Sequence, residues 1–218
     1  MKKIPALLVC ASVFTLGISQ ESLSSFSRIS VTGSVMITLK KGDKNQYTAS
    51  GDTEKLKVQV EDGKLKVSRV DISDGWKNRA YVTVWYTDIR SLSASAGAQV
   101  AHEGTLNAGD FELSFDTGAN GELTLDAQSL DVNVGEGGVL RLDGAARVVE
   151  ATSTTGGILK ARDLIAHRVY VSANTGASAT VHATEEIDAN ASLGGSVSYS
   201  GDPAIVKVKE SLGGSVRG

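Results

Sequence analysis

The sequence predicts an all-β fold, a single-domain parallel β-helix (β-solenoid) with rungs of about 18–21 residues. One observation is a repeat. Gly followed by Gly or Ala occurs at Gly97, Gly118, Gly137, Gly156, Gly176, Gly194 and Gly213, at spacings of 21, 19, 19, 20, 18 and 19 residues, and at one further position after residue 19, Gly144. A fixed period in this range is the mark of a repeat architecture, in which each unit buries its apolar face only by stacking on its neighbours. The second observation is strict alternation before each of the seven spaced glycines. Five residues before them stand Leu92, Leu113, Val132, Ala151, Val171, Ala189 and Val208. Four before them stand Ser93, Ser114, Asn133, Thr152, Ser172, Asn190 and Lys209. Such a period of two belongs to a half-buried strand.

Taken from the N-terminus, residues 1–19 read as a secretory signal peptide. Lys2 and Lys3 form a basic start, Ile4 to Leu16 an apolar stretch, and Gly17 and Ser19 place small residues before a cut ahead of Gln20. The apolar stretch is shorter than the roughly 20 residues of a membrane-spanning helix. A lipid-modified start at Cys10 is the alternative, against which stands the unsuitable Val9 before it. Cys10 is the single cysteine, so the processed chain is expected to lack disulfides and thiolate metal sites. That chain, residues 20–218, would carry 20 basic and 25 acidic residues, a net charge of −5. No basic run stands out, which argues against nucleic acid as a partner, and no transmembrane segment is expected in the mature chain.

Residues 26–92 form a less regular N-terminal part. Phe26, Ile29, Val31, Val35, Ile37 and Leu39 suggest an early rung or hairpin. Leu56, Val58 and Val60 precede Gly63 at the same offsets as in the later repeats, followed by Leu65 and Val67, which reads as another rung. Asp71 to Arg79 is a polar insertion expected to protrude, and Tyr81 to Tyr86 is a strong β segment by composition. The regular rungs occupy residues 93–218. Each reads as strand, tight Gly turn, strand and polar return. Glycine supplies the positive φ of the turn, and the small residue after it relieves crowding at the corner. No hexapeptide register runs through the chain, so the right-handed form is expected rather than the left-handed one.

The segments FSRISVTGSVMITLKKGDKNQYTASG, LKVQVEDGKLKV, SAGAQV, DTGANGEL, STTGGIL, ANTGASATV and SLGGSVSYSGDP, in this order, resemble the head GIN domain family of putative auto-transporter adhesins. The resemblance covers nearly the whole of residues 20–218. It implies a β-helical fold and a bacterial envelope or secreted protein, and it brings no catalytic motif. The Ser-Gly corners common in that family are here Thr-Gly, Glu-Gly, Ala-Gly and Leu-Gly.

Parallel β-helices also host enzymes acting on acidic polysaccharides, which need clustered carboxylates with a nearby Arg, His or Ca²⁺. Asp110 with Glu112 and Glu185 with Glu186 are the sequence-local candidates. Glu112, Asp131, Glu150 and Asp188 share one outward column in the predicted register, interrupted by Tyr170. Like charges on neighbouring strands repel, so the column calls either for a cation or for solvated side chains splaying apart; the interruption favours the latter. His102 falls in an inward position, His182 points outward and His167 lies in a return, without metal-ligand spacing. No catalytic residue, cofactor or metal is therefore expected. The expected function is a non-catalytic binding or adhesion-type module whose partner is an envelope glycan or protein. A structural scaffold is the alternative, and a polysaccharide lyase or hydrolase the remaining one. Trp76, in the polar insertion, is the expected ligand contact, because an aromatic anchor would add apolar area to an otherwise short and polar surface.

Overall fold

The computed structural model describes residues 20–70 and 78–218. The signal segment and Trp76 lie outside the described residues. All regular structure among the described residues is β. The N-terminal part holds β1 (Glu21–Ser22), β2 (Arg28–Gly33), β3 (Val35–Lys41), β4 (Gln46–Gly51), β5 (Lys57–Glu61), β6 (Lys64–Arg69), β7 (Ala80–Tyr86) and β8 (Ser91–Ser95). Five long strands follow: β9 (Gln99–Phe115), β10 (Asn120–Val134), β11 (Val139–Ser153), β12 (Ile158–Asn174) and β13 (Ser178–Ser192). The chain closes with β14 (Ser196–Ser200), β15 (Ile205–Glu210) and β16 (Ser215–Arg217).

The predicted solenoid is present. Strands β9 to β13 stack in parallel, and the register brings like positions together: Leu113, Val132, Ala151, Val171 and Ala189 are successive partners on one inward column. All five are buried. Each buried Leu or Val contributes about 1.5–3 kcal/mol relative to exposure, so the interior columns hold the stack together.

From the Gly97 corner to the Gly194 corner, the strand that leaves one corner runs unbroken to the next. The expected polar return is therefore β structure, paired on both sides: Ala127 faces Ala146 on β11 and Ala108 on β9. Its polarity has a geometric cause. Gln128 and Ser129 both avoid the interior, so the in–out alternation slips by one residue and the strand bends there.

At the Gly corners the chain makes two left-handed residues in succession. Thr117 has φ 50° and Gly118 φ 72°, and the Ala119 N–H donates to the Asp116 carbonyl at 3.0 Å, closing a turn of type I′. A non-Gly residue in this region costs about 1–2 kcal/mol. Stacking offsets it: the Gly97 N–H donates to the Thr117 carbonyl at 3.0 Å, and the Gly118 N–H to the Glu136 carbonyl at 3.1 Å. The ladder thus continues through the corner, which explains why Thr, Glu, Ala and Leu serve where Asn would be usual.

The N-terminal part departs from the reading in three ways. Residues 57–69 are an antiparallel hairpin, β5 against β6, and only β6 belongs to a rung. The rungs are also out of chain order. The β2–β3 rung lies between β6–β7 on one side and β8–β9 on the other. Antiparallel β4 then covers β7 and β1 covers β4, so the N-terminal end is shielded rather than left as an open parallel edge. Arg90, at an inward offset by the repeat, is exposed, and Ile89 is buried instead. At the other end Val206, Val208 and Glu210 hold inward positions by register but are exposed, because β15 pairs with β13 alone.

Arg69 is the largest fully buried polar side chain among the described residues. Its Nη2 meets Asp52 Oδ2 at 2.5 Å, Nε donates to the Asp52 carbonyl at 3.1 Å and Nη1 to the Asn78 carbonyl at 3.0 Å. This fork ties the end of β4 to both ends of the segment joining β6 to β7. Arg69→Ala should lower unfolding free energy by about 2–4 kcal/mol, slightly under the usual cost of breaking a buried pair because Asp52 is partly exposed. Arg69→Lys should recover little of it, since an ammonium cannot reach three acceptors in one plane. Urea denaturation of the two variants checks both.

Candidate functional site

The most regular surface lies on the arm that leads into each Gly corner. Its central column runs Ser30, Ser93, Ser114, Asn133, Thr152, Ser172, Asn190 and Lys209 on successive strands. Alternation alone put these side chains outside, and parallel in-register pairing lines them up at about 4.8 Å per step. Beside it runs the acidic column. Glu112, Asp131, Glu150, Tyr170, Asp188 and Lys207 are successive partners, as the sequence register requires. Glu112, Asp131 and Glu150 are exposed to solvent. Asp131 accepts a 3.0 Å hydrogen bond from Asn133.

What the sequence reading missed is how this column begins. Glu112 faces Ser91, Ser91 faces Arg28, and Arg28 faces Lys64. A groove of about 460 Å³ crosses these strands, with Arg28 and Lys64 at one end and Glu112 and Asp131 at the other. Nothing local in the sequence signals this. Arg28 and Lys64 come into line with the carboxylates only because the β2 rung is inserted between β6 and β8.

The other sequence candidates disperse. Asp110 pairs with Ser129 in the ladder. Glu185 accepts from or pairs with His167 Nδ1 at 2.9 Å on the surface. Glu186 takes a 2.8 Å hydrogen bond from Lys207, which pulls its carboxyl below and pushes the lysine above their ordinary values. His182 lies 3.2 Å from the Ser200 hydroxyl. His102 is half-buried and satisfied. Its Nδ1 lies 2.9 Å from the Gly104 carbonyl and must donate there, which leaves Nε2 to accept from the Tyr86 hydroxyl at 2.7 Å. Burial lowers the imidazole's proton affinity and pushes the phenol up to about 12. This pair braces β7 and β9 across β3.

A second depression, about 360 Å³, lies on the following arm around Gly121, between Met36 and Val139. Gly121 occupies an inward offset held by Val100 and Leu140 in neighbouring rungs, and the Phe115 ring fills the space beneath it. Among the described residues no group of three or more His, Cys, Asp or Glu side chains could hold a metal ion, and no helix is long and apolar enough to cross a membrane.

The sequence profile described as "Putative auto-transporter adhesin, head GIN domain" matches residues 25–203. The chain belongs to the head GIN domain family. Solved structures share the head GIN fold at low sequence identity. A putative adhesin from Bacteroides fragilis NCTC 9343 superposes with a TM-score of 0.81 at 22% identity, covering 91% of this chain and 94% of that one. A putative lipid binding protein from Parabacteroides distasonis ATCC 8503 gives 0.70 at 18%, with the same coverages. A putative adhesin from Parabacteroides merdae ATCC 43184 gives 0.64 at 16%, again with 91% and 94% covered. The comparison with curated proteins gives no match. At these identities the likeness carries the head GIN fold and not a ligand.

Proposed function

We propose that this head GIN domain chain is a non-catalytic, adhesion-type binding module of the bacterial cell envelope, which engages an envelope glycan or protein with the polar face of its pre-corner arm. The observation that carries this reading is the unbroken in-register column from Ser30 to Asn190, flanked by the acidic column. Rigid parallel pairing holds these hydroxyl and amide groups in place before any ligand arrives, so little side-chain freedom is lost on binding. Each hydrogen bond to the ligand replaces one to water and contributes little net, about 0.5–1.5 kcal/mol. Affinity must then come from many contacts along the column, which suits an extended polymer.

The test uses a glycan array and envelope fractions. Ser114→Lys with Thr152→Lys and Ser172→Lys should abolish binding while shifting Tm by no more than about 3 °C, since surface changes usually cost little. Binding retained by this folded variant would move the site off the face. Trp76→Ala is the companion measurement: loss of an aromatic anchor there should reduce binding with Tm nearly unchanged. Incubation with acidic polysaccharides, with and without Ca²⁺, should release no new reducing ends.

A further inference from the structure

The groove at the start of the acidic column has an unusual charge order. Along adjacent strands it reads Lys64, Arg28, Ser91, Glu112, Asp131. At about 4.8 Å per strand, Arg28 and Glu112 stand about 10 Å apart and Lys64 and Asp131 about 19 Å apart in the backbone frame. No ion pair among the described residues joins the two ends. Neither basic residue forms an ion pair with a carboxylate among the described residues. Arg28 is held by one 2.6 Å hydrogen bond to the Asp62 carbonyl, and the nearby Glu61 is taken up by Lys66 at 2.5 Å. Glu112 likewise has no cationic partner there. Between the ends the floor is hydroxyl and amide: Ser91, Ser93, Ser114 and Asn133.

Resting on the binding reading above, we infer that this groove recognises a zwitterionic glycan, one carrying carboxylates or phosphates together with free amines. Arg28 and Lys64 take the anionic groups, Glu112 and Asp131 the ammonium groups, and the serines and Asn133 the sugar hydroxyls between them. Opposite charges at the two ends reject polymers of one sign, because half of the groove would then face a like charge. The neutral polar floor favours a sugar over a peptide. The groove has no exposed aromatic or aliphatic side chain to receive apolar residues.

Immobilised carboxymethyl chitosan, whose chain bears both carboxylates and amines, is the probe. Polygalacturonate carries the acid alone and chitosan the amine alone. The chain should bind the zwitterionic polymer at least tenfold more tightly than either of the others. Arg28→Gln with Lys64→Gln should lose at least tenfold on carboxymethyl chitosan, with chitosan binding undiminished. Glu112→Gln with Asp131→Asn should lose as much there and lose chitosan binding as well. Lys64→Gln alone, at the end of the groove, provides the same test should the pair disturb folding, and its expected loss is threefold or more. Thermal melts accompany every variant. Equal binding of all three polymers, or folded variants that still bind carboxymethyl chitosan as the parent does, would overturn the inference. Stronger competition by an alternating Lys-Glu peptide than by the glycan would overturn the assignment to sugar. Loss of this inference leaves the binding module intact if the Lys-substituted face still abolishes envelope binding.

Discussion

Val132→Asp is expected to remove most or all of the folded population. Val132 has no solvent exposure, and its partners on either side are Leu113 and Ala151. A carboxylate there would have neither water nor a counter-charge, and the ladder leaves no room for it to swing outward. The expected loss is at least about 4 kcal/mol, in the range reserved for buried unpaired charge. For a chain of this size, that lowers Tm by about 10 °C or more if the variant folds at all. Asn133→Asp, one residue on, points to solvent. It loses the hydrogen bond to Asp131 and adds a like charge beside it, so a cost of about 1 kcal/mol or less is expected. Thermal melts of the two variants should differ widely, and equal losses would mean that both side chains face the same environment.

Gly157→Val should rank next. Two glycines stand together in four of the seven corners, at Gly137, Gly156, Gly194 and Gly213, where the other three carry Gly-Ala, and they are present for different reasons. Gly156 has φ 74° with open space where a side chain would begin, so it answers only to backbone conformation. Gly157 is not in that region. A Cβ on it would sit 2.3 Å from the Val134 carbonyl oxygen and 3.0 Å from that of Thr154, both backbone atoms of the stack. Valine there must push two rungs apart, at an expected cost of about 3 kcal/mol or more. Gly156→Ala should cost about 1–2 kcal/mol. Denaturant titrations decide the order, and a costlier Gly156→Ala would refute the steric account.

The corner pattern also shows how far local reading reaches. Spacing and alternation located the turn glycines, the inward columns and the acidic column, because in a parallel stack each position repeats its own offset. The positive φ of Thr117, Thr155 or Leu193 was not legible. Those residue types disfavour it, and only the hydrogen bond between stacked corners makes it tolerable.

The same division holds for the site. By itself the sequence determined the solenoid, its rung length, and which side chains of the strand segments flanking the Gly corners face out, since these follow from period-2 alternation and a repeated turn. Tertiary structure alone decided the N-terminal order. The offsets around Gly63 match a rung, yet the Asp62–Gly63 turn closes an antiparallel hairpin, because identical local geometry permits either pairing and the partner strand chooses. Insertion of β2 between β6 and β8 was equally beyond local reading. That insertion sets Arg28 and Lys64 in line with Glu112 and Asp131, and it arises from which strand edges find each other in space, a long-range choice that no spacing along the chain encodes.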